Sequence, residues 1–217
     1  MTSTTETKPV NTEQLILEAA EREFLLKGYA GARTSAIAEA AGVTHAMLHY
    51  YFRTKDKLFD TILDRKIKLL RDVMLGSIGD ADKPLFQKLA DTVSNHIDFL
   101  AANPDLPRFM VNEIFYNPAR MQQILPLMKA HAPQVVANLQ RQIDDMAARG
   151  ECRRFDAAML MVDIVSLNVF SFMAAPMVEA MFGDSFSDRA SFVEQRKREN
   201  IDTIMRKIRE SFGFKSN

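Results

Sequence analysis

Thr34 to Phe52 reads TSAIAEAAGVTHAMLHYYF, and its spacing predicts two short helices joined by a tight turn. A helix-turn-helix needs a small residue where its helices cross, a residue that tolerates the turn, and apolar residues facing inward. Ala38 is the small residue, Gly42 turns the chain, and Ile37, Ala41, Val43, Leu48 and Tyr51 occupy the remaining required positions. Thr34 is placed to cap the first helix, which reaches Ala41, and Thr44 to cap the second, which runs to about Tyr51. The residues left over on the second helix, His45, Ala46, Met47, His49 and Tyr50, then point away from the core. That is the face such a motif lays in the major groove of DNA.

Working outward, Asn11 and Gln14 are spaced as a capping box, Ile16, Ala20 and Phe24 recur at helical spacing, and Gly28 supplies a stop. These define a helix ahead of the motif. Met1 to Val10, rich in Thr and Ser without an apolar period, reads as a disordered leader. After the motif, Thr54 caps a long helix from Lys55 to about Leu75, with Leu58, Ile62, Leu69 and Val73 as its expected buried stripe. Lys55 sits in the first turn, where the helix dipole disfavours a cation. A DNA phosphate beside it would resolve that conflict, since helix N-termini bind anions and a lysine completes the clamp. Thr34 and Ser35 offer hydroxyls for the same purpose.

The rest of the chain reads as helices at about Leu85 to Ala102, Asp105 to Tyr116, Ala119 to Lys129, Pro133 to Arg149, Asp156 to Met181 and Asp188 to Phe212. Asn103-Pro104, Asn117-Pro118, Gly150 and Gly183 punctuate them. The fold class is therefore all-α, with a DNA-binding domain over residues 11–75 and a second helical domain over 76–217. Eight Gly and eight Pro in 217 residues are too few for a hairpin-rich β fold, and 47% apolar residues suffice for a real core. Lys plus Arg equals Asp plus Glu at 28 each, so the molecule as a whole has no basic field. Between Gly28 and Lys57, however, Arg33, Arg53, Lys55 and Lys57 face only Glu39 and Asp56, which leaves a local basic face. A lone Cys152 forms no intrachain disulfide, and no uncharged apolar run reaches the roughly 18 residues of a membrane span. A cytoplasmic location is expected.

From Gly31 to Leu63 the sequence GARTSAIAEAAGVTHAMLHYYFRTKDKLFDTIL, with the helix before it, strongly resembles the TetR family of bacterial regulators. The specific parts are Gly28 and Thr34, the run IAEAAGV at Ile37 to Val43, and the aromatic run ending in Phe52 followed by Thr54-Lys55-Asp56. The resemblance implies three DNA-binding helices, a variable helical C-terminal domain for ligand binding and dimerisation, and a homodimer. By position it implies phosphate contacts from Thr34, Ser35, Tyr51 and Lys55, with Thr44, His45, Ala46, Met47, His49 and Tyr50 presented to DNA. The chain departs from the family at His49, where a tyrosine usually follows the leucine.

His45 and His49 lie four apart, the spacing of two zinc ligands, but no third ligand is evident, and Cys152 has no identifiable base. Neither a metal nor any cofactor is expected, and no enzyme chemistry is assembled. Asn112 and Glu113 interrupt the apolar run Phe109 to Tyr116, and Asn168 interrupts Ile164 to Phe172. With Phe99, Phe109, Tyr116 and Phe172 they are the candidate lining of a small-molecule cavity. The expected dimer forms through Asp156 to Met181 and Asp188 to Phe212 as a four-helix bundle, with Phe192, Ile201, Ile204, Met205 and Ile208 facing the partner. The reading is a repressor that binds an inverted-repeat operator in double-stranded DNA and is released by a small apolar or amphipathic effector. Its rivals are a helical ligand-binding protein without specific DNA affinity and a helical-bundle enzyme.

Overall fold

The computed structural model describes residues 11–80, 82–183 and 188–209. The expected leader, and the end of the last helix at Phe212, lie outside them. Among the described residues the chain is helical without strands, and it divides into two compact units. One unit holds the chain up to Lys66 together with Phe109–Pro118, and the other holds Ile67–Arg108 and the chain from Ala119 on. The sequence boundary near Leu75 lies nine residues beyond Lys66, and the first unit includes a segment distant in sequence.

In the first unit, α1 (Thr12–Gly31) begins where the Asn11 side chain accepts the Gln14 N–H at 3.4 Å. The other half of the expected box is absent: the Gln14 side-chain oxygen, which would accept the Asn11 N–H, accepts instead from Arg65 at 3.2 Å, while its amide donates to Glu18 at 2.9 Å. Regular helix stops at Gly28, whose φ of 68° and ψ of 177° are closed to residues with a Cβ. Next come α2 (Thr34–Ala40) and α3 (His45–Tyr51), with Gly42 between them at φ 66°. The cap of α2 is Arg33 rather than Thr34, one residue earlier than expected, and it caps by backbone alone. Thr44 does cap α3, accepting the Met47 N–H at 3.2 Å.

Helix α4 (Lys55–Gly79) starts at Thr54, whose hydroxyl accepts the Lys57 N–H at 3.1 Å. Its buried stripe is Leu58, Phe59, Ile62, Leu63, Lys66, Ile67, Met74 and Ile78. Leu69 is 47% exposed, so the expected stripe slips after Ile62. Lys66 holds one of the buried positions instead, its ammonium paired with Glu21 of α1.

In the second unit, α5 (Leu85–Ala102) buries Leu85, Leu89, Val93, Ile97 and Leu100. Against it lie α8 (Ala132–Ala148), α9 (Ala157–Met173) and α11 (Arg189–Arg209), which add Leu139, Ile143, Leu160, Ile164, Val193, Ile204 and Ile208 to one core. The remaining elements are α6 (Leu106–Met110), which continues as a π-helical turn over Val111–Phe115, then α7 (Pro118–Lys129) and α10 (Ala175–Phe182). Two expectations need correction here. Asp156 to Met181 is not one helix: it breaks at Ala174 with a bend of 57°, because Pro176 has no N–H to donate back into α9. Ile204 and Ile208 do not face outward, since the α11 stripe of Val193, Asn200, Ile204 and Ile208 packs into the protomer's own core.

A polar chain crosses that core. The buried Asn168 amide donates to the Val93 carbonyl and to His96 Nδ1, each at 3.2 Å, and its oxygen accepts from Asn200 at 2.8 Å. Arg196 in turn donates to the Asn200 oxygen. Burial pushes the His96 pKa down to about 4, so the ring is neutral and free to accept at Nδ1. By contrast, α9 and α10 leave an apolar face uncovered: Met159, Val162, Phe170, Met173, Met177 and Met181 are all largely exposed. Among the described residues no single helix is long and apolar enough to cross a membrane, although the bent pair α9 and α10 reaches that composition together.

Candidate nucleic-acid interface

Inward residues of the motif are anchored as its spacing requires, except Tyr51, which is exposed. Ile37 and Leu48 are fully buried, Ala38 and Ala41 nearly so, and the Val43 N–H closes the turn on the Ala38 carbonyl at 3.0 Å. Leu48 is the only buried side chain of α3. His45, Ala46, Met47, His49 and Tyr50 are therefore carried on the exposed face of a helix whose opposite side is pinned. Thr44 and Ser35 are exposed as well, and Thr34 is half-buried. Tyr50, 79% exposed, and Tyr51, 40% exposed, meet edge to face at 5.4 Å.

The two histidines of α3 are engaged with the motif itself. His45 Nε2 is hydrogen-bonded to the Thr34 hydroxyl at 3.1 Å, which ties α3 to the start of α2. His49 Nδ1 donates to the Arg53 carbonyl at 3.2 Å, and the rings meet edge to face at 4.4 Å. These bonds orient both rings, and among the described residues there is no group of three or more His, Cys, Asp or Glu placed to hold an ion. At His49, where the resemblance expects tyrosine, the side chain is spent on the end of its own helix.

Lys55 resolves its unfavourable place in the first turn of α4 in a way the sequence reading did not include. Its ammonium lies over the Tyr29 ring, 4.6 Å from the centroid. The Tyr29 hydroxyl donates to Asp56 Oδ1 at 2.6 Å, so one aromatic side chain meets two consecutive residues of α4. Tyr29 was missed as a candidate site residue; an aromatic directly after Gly28, where regular helix stops, was the available signal.

The seven candidate ligand residues do not fall in one unit. Phe109, Asn112, Glu113 and Tyr116 belong to the first, where Phe109 packs on Phe59, Asn112 is exposed and Tyr116 is 81% exposed. Glu113 accepts the Tyr29 N–H at 2.8 Å. Phe99, Asn168 and Phe172 are buried in the second unit, and the hydrogen-bonding groups of Asn168 are occupied within the core. Phe172 lines a cleft of about 350 Å³, shared with Asp105, Pro176, Glu179, Arg189 and Phe192 among others, and Phe99 lines a separate, shallower one with Asp72, Val73, Asn95 and Asp98 among others.

The motif and the helices around it define a helix-turn-helix module joined to a helical domain. The chain matches the family model for bacterial regulatory proteins of the tetR family over residues 16–62, and that for the tetracyclin repressor-like C-terminal domain over residues 86–204. The second match alone covers more than half of the chain, and the protein belongs to the TetR family, whose members are regulators rather than enzymes. The HTH-type transcriptional repressor SCO4008 of Streptomyces coelicolor is 30% identical over 102 residues, which is 47% of this chain and 49% of that one. The HTH-type transcriptional repressor AcnR of Corynebacterium efficiens is 42% identical over 59 residues, 27% of this chain and 31% of that one. The chain thus spans about half or less of the length of these curated relatives. Among solved structures, SCO4942 of Streptomyces coelicolor superposes with a TM-score of 0.64 at 21% identity, covering 91% of this chain and 98% of that one. FadR of Bacillus subtilis, solved in complex with stearoyl-CoA, gives a TM-score of 0.63 at 17% identity, with coverage of 90% and 98%.

Proposed function

We propose that this chain is a ligand-responsive transcriptional repressor that binds an inverted-repeat operator in DNA as a homodimer. The observation that carries the reading is α3, held by the buried Leu48 with His45, Ala46, Met47, His49 and Tyr50 exposed on its other face. Ser35, Tyr51 and Lys55 flank that face as phosphate contacts, and Thr34 positions His45. The uncovered apolar face of α9 and α10 supports the dimer, because water-exposed methionine and phenylalanine at this density mark an interface. A two-fold dimer presents two copies of α3, and its operator then has matching symmetry. Such a protein works where the DNA is, in the cytoplasm.

The effector is a small apolar or amphipathic molecule. Supporting this are the cleft at Phe172 and Phe192, whose apolar corner is flanked by Glu179 and Arg189, and the acyl-CoA held by the Bacillus subtilis relative. Phe99 and Asn168 then shape the core behind the site, and Phe109, Asn112, Glu113 and Tyr116 serve the DNA-binding unit. Binding shifts the separation of the two DNA-binding units through α4. A hundredfold loss of DNA affinity needs about 2.7 kcal/mol of differential binding, which one small ligand can supply. Selection from a random duplex pool tests the reading: recovery of an inverted repeat supports it, and recovery of no preferred sequence refutes it. The second reading, a ligand-binding protein without specific DNA affinity, predicts the latter result.

A further inference from the structure

Glu113 lies 84 residues from Tyr29 in the chain, yet its carboxylate accepts the Tyr29 N–H at 2.8 Å. The approach depends on Gly28. A Cβ built at Gly28 would stand 2.5 Å from the Glu113 carboxylate oxygen, so the backbone there leaves room for the acceptor only because no side chain is present. The ring of the same tyrosine is held from the other side. Phe59 meets it edge to face at 5.1 Å, and Phe59 packs in turn on Phe109, four residues before Glu113. One short segment thus fixes Tyr29 at its backbone directly and at its ring through Phe59. What Tyr29 carries is Lys55, whose ammonium stands over the ring.

A lysine side chain has many rotamers, and at a helix N-terminus the dipole pushes its charge away. An aromatic face beneath the ammonium restricts where that charge stands while leaving its donors turned outward. Resting on the proposed DNA-binding function, we infer that Glu113 is a positioning residue for DNA binding: it seats Tyr29, and Tyr29 aims Lys55 at a backbone phosphate. A plain helix cap would stabilise the unit without any dependence on Lys55.

A double-mutant cycle separates the two roles. Binding of a duplex recovered from the random pool is measured over a range of KCl for Glu113→Ala and Glu113→Gln, each with Lys55 and with Lys55→Ala. Glu113→Ala loses about tenfold in affinity and lowers the salt slope by about one per protomer, as expected for one displaced phosphate contact. Glu113→Gln, whose amide oxygen still accepts the Tyr29 N–H, stays within about twofold of the parent. On the Lys55→Ala background, Glu113→Ala costs less than about twofold further. Wild-type affinity for Glu113→Ala, or full additivity with Lys55→Ala, overturns the inference. If Glu113→Ala melts below the assay temperature, Tyr29→Leu, which keeps the backbone N–H but removes the ring, runs the same cycle, and additivity there overturns it equally. Failure of the parent protein to select any duplex refutes the proposed function instead, so the two failures are distinguishable.

Discussion

Acidifying the protein should weaken its second unit through one side chain. His96 is 2% exposed on α5 and accepts the Asn168 amide at Nδ1, a bond that a protonated ring cannot make. Burial lowers its pKa from 6.5 to about 4, so between those values the unfolded chain binds a proton that the folded chain refuses. Stability is therefore full above about pH 6.5, falls with falling pH, and levels off below about pH 4. A difference of 2.5 between 6.5 and 4 corresponds to about 3 kcal/mol in all, of which about 2 kcal/mol is gone by pH 5. Urea unfolding at pH 7.5 and pH 5 measures the loss, with His96→Gln as reference because its side chain does not titrate. Other groups change stability in both proteins alike, so the wild type should lose about 2 kcal/mol more than the variant over that interval. Equal losses in the two proteins would refute the argument.

Gly28→Ala should destabilise the first unit by about 1–3 kcal/mol, from the φ of 68° and the crowding of Glu113, with a lower melting temperature as the readout. Met177→Asp, on the exposed face of α10, should leave the protomer folded and weaken self-association at least tenfold in sedimentation equilibrium. Lys55→Ala should reduce affinity similarly for all duplexes, whereas His45→Ala should change base preference at one position in each half-site, as read by repeated selection from the random pool. A uniform loss for both would show that His45 does not read bases.

The motif was legible because its requirements are local. Gly42 has the positive φ that its place between two short apolar patterns demands, and Leu48 faces inward because its neighbours are spaced for it. The cap of α2 was misplaced by one residue because Thr34 looks like a cap; its hydroxyl is taken by His45, eleven residues on. Periodicity failed along α4 where a buried position holds Lys66, since a charge on the inward face breaks the apolar pattern without breaking the helix. The helix expected through Met181 ignored Pro176, whose effect was legible and was outweighed by the long apolar run around it. Polar residues in apolar runs were the least readable. Asn168 and Glu113 interrupt their runs in the same way, but one serves a core chain to Asn200 and the other a backbone N–H of α1. Only long-range partners tell those uses apart.

The π turn at Val111–Phe115 bears on how this chain tolerates insertions and deletions. Such a turn accommodates one residue beyond the α-helical register, so losing a residue there would restore an ordinary helix rather than break one. The residues on either side of the turn would keep about their present rotation relative to one another, while those within it would be reset. Glu113 lies inside that turn, so its place relative to Phe109 would change and its carboxylate would lose its aim at Tyr29. A single-residue deletion in that turn is thus expected to yield a folded protein with an altered DNA grip. The same deletion in the middle of α5, a regular helix, would rotate one half of its stripe by about 100° against the other and disrupt the core.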